Sequence, residues 1–233
     1  MKLSSMQPYL FPYLGYFQLI HAVDNFVISD DVQYIQAGWI NRNRILMDGE
    51  PWVFTFGLKK ASHTLNINER YFSERNKDEK ANFIRTIDYA YKKAPCYDQV
   101  AILIEEIFAN DERNVSRFIT KSMEMICAYL GIKTKFSFAS DLPKDNSLKG
   151  MERVLDINRC FASDHFINPI GGVALYSKEV FADHGVKMNF IKMRDIQYKQ
   201  FDAPFVPSLS IIDVMMFNSV EEVGRLLVEY DLV

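Results

Sequence analysis

"KLSSMQPYLFPYLGYFQLIHAVDNFVISD", residues 2–30, places two short strand-like runs on either side of a helix-length segment. Residues 2–6 read as a strand, and "GYFQLIHAV" (15–23) has the apolar spacing of a short helix. Asp24 and Asn25 turn the chain into "FVISD" (26–30), whose β-branched centre reads as a buried strand. Strand, helix and strand in so few residues make a parallel βαβ unit with a crossover near the minimum length. The Pro- and aromatic-rich loop after the first strand therefore lies at the carboxyl edge of a parallel sheet, where open α/β sheets bind ligands.

The same alternation returns later. "TKFSFAS" (134–140), "HFINP" (165–169) and "KMNFIKM" (187–193) read as strands, separated by a helix at 147–161 and another near 173–184 that Gly185 ends. Between the halves, Asp48-Gly49 marks a hairpin over residues 40–57. Residues 60–77 read as a polar loop, and 78–130 as three helical segments stopped by Gly131. Two helices, near 210–217 and 219–229, finish the chain. The expected fold is α/β: a Rossmann-like, doubly wound, mainly parallel five-stranded sheet with a β-hairpin. It forms a single domain over 1–233, with 78–130 as a helical insertion or cap.

Composition narrows the function classes. The 233 residues are 48% hydrophobic and 24% charged, close to globular averages. A net charge of -3 leaves no footprint for bulk nucleic-acid binding. Gln7, Pro8 and Pro12 interrupt what would be a signal-peptide core. No run of about 18 apolar residues exists, so no membrane insertion is expected and a cytoplasmic location is. Cys96, Cys127 and Cys160 lack zinc or disulfide spacing, and the four histidines form no metal pattern, so no metal site is assigned.

Candidate site residues come from the strand ends. In the first loop Gly15 permits close approach at a helix start, and Tyr9, Phe11, Tyr13 and Tyr16 offer rings for a base or sugar, although aromatics are more often core. In "SDDVQYIQAGWINRNR" (29–44), Asp30 and Asp31 point to opposite sides of a continuing strand, so one can face the cleft and bind an amine, act as a base or hold Mg²⁺. Asn41 and Asn43 share one face of the next strand and Arg42 and Arg44 the other, a clamp for phosphate or carboxylate. The plain alternatives are a solvated turn and an exposed basic edge. Gln7, Gln33 and Tyr34 join Asn41 and Asn43 as polar contacts, and Trp39 joins the stacking wall. Lys149 and Arg153 form one positive helix face, Asn168 ends the fourth strand, and Ser208, Ser210 and Asp213 surround a helix start that capping also explains.

"MQPYLFPYLGYFQLI" (6–20), "DNFVISDDVQYIQAGWINRNRI" (24–45) and "FVPSLSIIDVMMFN" (205–218) together resemble the WbqC-like family of bacterial polysaccharide-locus proteins. The resemblance implies a cytoplasmic protein of O-antigen or related surface-glycan biosynthesis, with glycyl or other amino-acyl transfer to an amino sugar as its activity. A more distant likeness of layout ties Tyr13-Leu14-Gly15-Tyr16 to the His-x-Gly-His signature of pantothenate synthetase and other nucleotidyl-transferring enzymes, with tyrosines in place of both histidines.

The expected function is thus acyl or amino-acyl transfer to an amine on a nucleotide-linked sugar. Asp30 or Asp31 takes the amine proton, Tyr16 stands at the signature position, and Arg42 and Arg44 hold phosphates. Gly15 or Ser210 supplies backbone amides for an anion. Candidate donor systems are acyl-coenzyme A, ATP with Mg²⁺, and aminoacyl-tRNA. Two rivals stand beside this reading: an ATP-using adenylate-forming or nucleotidyl transferase, and a non-catalytic nucleotide-sugar binder.

Overall fold

A computed structural model describes residues 1–202 and 204–233. In chain order its elements are β1 (Lys2–Met6), α1 (Leu14–His21), β2 (Asn25–Ile28), β3 (Arg42–Met47), β4 (Glu50–Thr55), α2 (Asn76–Tyr91), α3 (Tyr97–Phe108) and α4 (Val115–Tyr129). There follow β5 (Lys135–Phe138), α5 (Gly150–Cys160), β6 (His165–Pro169), α6 (Lys178–Asp183), β7 (Lys187–Met193), α7 (Ile211–Phe217), α8 (Val220–Leu226) and β8 (Tyr230–Leu232).

The main sheet has the order β5-β2-β1-β6-β7-β8, and β3 pairs with β4 as a separate antiparallel hairpin. β1 lies parallel to β2 on one side, with Ser4 opposite Phe26, and parallel to β6 on the other, with Leu3 opposite Phe166. The chain thus winds outward from β1 in one direction, then returns to wind outward in the other. Its strand-order switch falls between β1 and β6, with Gln7 and Asn168-Pro169 at the carboxyl ends there. The five parallel strands are those read from the sequence; β8 adds a sixth, antiparallel to β7. The helix expected to run to 229 ends at Leu226, and the three residues of β8 are too few for an alternating pattern to show. The helix expected at 173–184 is divided into a 3₁₀ turn, Ile170–Leu175, and α6, which Ser177 caps.

Alternation along the strands produces two cores. Phe26 and Ile28 of β2 and Ile167 of β6 face one side, where α1, α2, α3, α4 and α7 bury their apolar stripes. Val27 and Phe166 face the other, against Val154 and Ile157 of α5 and Phe181 of α6. Helices on both faces bury both sides of the inner strands, so Phe26, Val27 and Ile28 of β2 are all buried, and β1 buries Ser4 and Ser5 as well. Among the described residues no helix is long and apolar enough to cross a membrane.

At the switch, the buried side chain of Asn168 presses against Gly172. A Cβ on Gly172 would lie 2.0 Å from the Asn168 amide nitrogen and 3.4 Å from the Tyr176 ring. Gly172→Ala is expected to lower stability by about 1–3 kcal/mol, the usual cost of overpacking; urea unfolding measures it.

Candidate functional site

The loop between β1 and α1 is held by two other parts of the chain, the hairpin and the start of α7. Phe11 has φ 46, a left-handed conformation costly for a bulky residue. Its carbonyl accepts hydrogen bonds from Asn43 Nδ2 at 2.8 Å and Ser210 Oγ at 2.8 Å. Asn43 Nδ2 also donates to the Leu10 carbonyl at 2.9 Å, and the Ile211 amide donates to the Pro12 carbonyl at 2.9 Å. The Ser210 amide in turn donates to the Arg44 carbonyl at 2.9 Å. The three sequence motifs therefore meet at one point: hairpin and α7 N-terminus grip the loop from both sides.

Beside this junction lies a cleft of about 350 Å³ lined by Tyr9, Pro12, Tyr13, Trp39, Arg44 and Ser208. The Arg42 and Arg44 guanidinium carbons lie 5.2 and 5.7 Å from the centre of the Trp39 ring, within cation–π range. As expected from strand alternation, both arginines lie on one face of β3 and both asparagines point inward. Their roles differ, however. Arg42 donates through Nε to the Gly38 carbonyl at 2.9 Å and through a terminal nitrogen to the carbonyl of Ala37, which has φ 57. It fixes the turn that presents Trp39. Arg44 uses only Nε, donating to the Ser208 carbonyl at 3.1 Å, and its terminal nitrogens have no partner among the described residues. No carboxylate among the described residues pairs with either guanidinium. Burial pushes the Tyr9 and Tyr13 hydroxyls above their ordinary values, so both are neutral donors at pH 7.

The adjacent aspartates have opposite surroundings. Asp31 pairs with Lys144 and with Arg153, so it is an anchor already committed to two cations. Asp30 is 3% exposed and has no cation partner among the described residues; it accepts from the Ser140 amide at 3.0 Å and the Ser140 hydroxyl at 2.8 Å. Burial raises its pKa against the lowering effect of those two bonds, and the Asp31 charge raises it further. Asp30 borders a second cleft, of about 300 Å³, with Asn68, Tyr71, Glu112, Arg117 and Asp141. Ser140, expected as the last residue of a strand, stands in a 3₁₀ turn over Ala139–Asp141 because β5 ends at Phe138, and Lys144 lies in the loop that follows, with no periodicity or motif to mark it.

Several candidates belong to the framework instead. Tyr16 is 2% exposed, its ring lies 5.6 Å from that of Tyr9, and its hydroxyl donates to the Gln7 carbonyl at 2.7 Å, so it cannot reach a ligand. Asn41 accepts from the Tyr34 hydroxyl and donates to the Phe56 carbonyl, both at 2.7 Å, while the Arg70 guanidinium covers the Tyr34 ring. Gln33 is exposed and ties down the His63 carbonyl. Asp213 is fully buried and accepts from Tyr91 at 2.8 Å, Tyr198 at 2.7 Å and Gln200 at 2.6 Å. Ser210 offers no anion nest: its amide and that of Ile211 are bonded to carbonyls, and its hydroxyl caps the Ile212 amide.

The remaining candidates divide between the clefts and the strand ends. The Tyr13 ring lies over Gly15, so that a Cβ there would meet it at 2.5 Å. Lys149 is exposed at the start of α5 and forms no ion pair among the described residues, whereas Arg153, one turn on, holds Asp31. Gln7 and the buried Asn168 flank the strand-order switch. Among the described residues no group of three or more His, Cys, Asp or Glu side chains is placed to hold a metal ion.

The family model described as the WbqC-like protein family matches residues 7–225, which takes in the loop, the hairpin and the α7 clamp. The chain belongs to the WbqC-like family. This family member is also similar to the uncharacterized protein Rv1507c of Mycobacterium tuberculosis (strain ATCC 25618 / H37Rv), 27% identical over 220 residues that cover 93% of each chain. No solved structure matches it. A likeness to nucleotidyl-transferring enzymes is not shown, and at the position expected to carry their signature the buried Tyr16 hydroxyl is bonded to the Gln7 carbonyl.

Asp213→Ala removes the acceptor of three buried donors and is expected to cost about 2–4 kcal/mol. Urea unfolding reads that loss, and a change below about 0.5 kcal/mol contradicts a framework role.

Proposed function

We propose that this WbqC-family protein transfers an acyl or amino-acyl group, glycyl included, to an amino group of a nucleotide-linked sugar used in surface-polysaccharide (O-antigen) assembly. The observation that carries this reading is Arg44. Among the described residues its guanidinium has no partner for the terminal nitrogens and no carboxylate pair, and an aromatic wall of Trp39, Tyr9 and Tyr13 stands beside it. Free guanidinium donors suit phosphate oxygens, and exposed rings suit the face of a base or sugar. Asp30 is the better base of the pair, since Asp31 is already paired with two cations. Asp30 borders the second cleft, so this reading puts the nucleotide phosphates at Arg44 and extends the sugar amine to the cleft at Asp30. In the reaction the amine nitrogen attacks the donor carbonyl carbon, the bond from that carbon to the donor's leaving group breaks, and the proton lost from nitrogen passes to the Asp30 carboxylate.

A second reading, nucleotide-sugar binding without turnover, is favoured by the burial of Tyr16 and the pairing of Asp31 with Lys144 and Arg153. One experiment separates the readings: a mass-spectrometric screen of UDP-glucosamine and related nucleotide amino sugars with acyl-coenzyme A donors, amino acids plus ATP and Mg²⁺, or charged tRNA. The sugar gains the mass of the acyl group in one arm if transfer occurs. Binding without a mass gain in any arm supports the second reading, and release of pyrophosphate with a free adenylate supports the ATP-using rival.

Arg44→Ala is expected to weaken UDP-glucosamine binding at least tenfold in calorimetry without loss of thermal stability. Asp30→Asn should keep that affinity and lower turnover more than a hundredfold. A base acts only when deprotonated, so the raised pKa of Asp30 moves the acid limb of the pH–rate profile above the ordinary aspartate value of about 4; a limb at or below that value contradicts the assignment.

A further inference from the structure

The three rings of the Arg44 cleft are not equally free. Trp39 already has two guanidinium groups against it, and Tyr9 packs on the buried Tyr16 with ring centres 5.6 Å apart. Tyr13 is 38% exposed and borders the same cleft. Among the described residues its ring pairs with no other aromatic and its hydroxyl makes no hydrogen bond. The backbone beneath that ring is fixed: the Tyr13 carbonyl accepts from the Tyr16 amide at 3.0 Å, and the Pro12 carbonyl before it accepts from the Ile211 amide at 2.9 Å. An unengaged ring on an anchored backbone suits a flat, aromatic part of a ligand.

The ring rests on Gly15, the second residue of α1. Beyond its chain neighbours and its own helix, the atoms nearest to a Cβ on Gly15 would be Cε2, Cζ and Oη of Tyr13, at 2.5, 3.2 and 3.3 Å. Glycine weakens a helix relative to alanine, and no positive φ requires it at this position. The close approach that Gly15 allows is therefore used by the Tyr13 ring, where the sequence suggested a ligand. Since the crowded atoms are the far end of a side chain, alanine at this position would move the ring and leave α1 in place.

We propose that the base of the nucleotide stacks on Tyr13, with its phosphates at Arg44, and that Gly15 is a positioning residue that seats the Tyr13 ring. This rests on the nucleotide-sugar reading of the cleft and adds where the base lies. Calorimetry with UDP, which has a base, and inorganic pyrophosphate, which has none, tests it. Tyr13→Ala and Gly15→Ala should each weaken UDP about fivefold or more, the cost of a lost base–aromatic stack, and leave pyrophosphate within twofold of wild type. Arg44→Ala should weaken both ligands. Because Gly15 acts through the ring, Gly15→Ala should cost nothing further in a Tyr13→Ala background, and alone it should not lower the melting temperature.

Wild-type UDP affinity in Gly15→Ala, an equal loss for pyrophosphate, or a further loss in the double variant overturns the proposal while the phosphate role of Arg44 stands. Failure of the wild type to bind UDP, or unchanged binding of both ligands in Arg44→Ala, overturns the nucleotide reading of the cleft and the proposal with it.

Discussion

The carbonyl oxygen of Phe11 is the point on which the candidate site depends. A bulky residue at positive φ costs about 1–3 kcal/mol and persists only where its surroundings over-determine it. Here they do, because that oxygen accepts from Asn43 on the hairpin and from Ser210 at the start of α7. The grip brings three segments far apart in sequence to one edge of the sheet. Tyr9 and Tyr13 come from the loop, Trp39 and Arg44 from the hairpin region, and Ser208 from the segment before α7. Rigid elements then hold the cleft walls, which suits a site that recognises a ligand without large rearrangement.

Charge is distributed by the same economy of partners. Of two neighbouring aspartates, one is spent on Lys144 and Arg153 and one is left without a cation beneath a polar cleft. Of two neighbouring arginines, one is spent on the carbonyls of a tight turn and one keeps its terminal nitrogens free. In each pair the tertiary partners differ: the two aspartates, past the end of β2, meet Ser140 on one side and Lys144 and Arg153 on the other, and the two arginines, on one face of β3, meet different carbonyls.

How much of this was legible follows from which forces are local. The parallel strands, the hairpin and the helix order could be read because period-2 and period-3.6 patterns survive in single segments. The inward face of Asn41 and Asn43 and the shared face of Arg42 and Arg44 followed from the same periodicity. What a buried polar group bonds to is decided by tertiary placement and was not legible. Asp213 sits in the first turn of α7, where capping or ligand binding were the natural readings, yet Tyr91, Tyr198 and Gln200 converge on it from elsewhere. Tyr16 stood at a signature position and proved to be core. Lys144, with no pattern around it, proved to be the partner of Asp31. The short edge strand β8 carried too few residues to announce itself.

Whether the grip on Phe11 builds the cleft is measured most directly by a double-mutant cycle of Asn43→Ala and Ser210→Ala, read by urea unfolding and by calorimetric affinity for UDP-glucosamine. Two donors sharing one strained acceptor should couple by about 0.5–3 kcal/mol in stability, the range for residues in one hydrogen-bond network. Ser210→Ala, although its side chain lies outside the cleft, should weaken the ligand severalfold. Stability effects that add within about 0.5 kcal/mol, together with unaltered affinity in Ser210→Ala, would contradict the grip as the origin of the site.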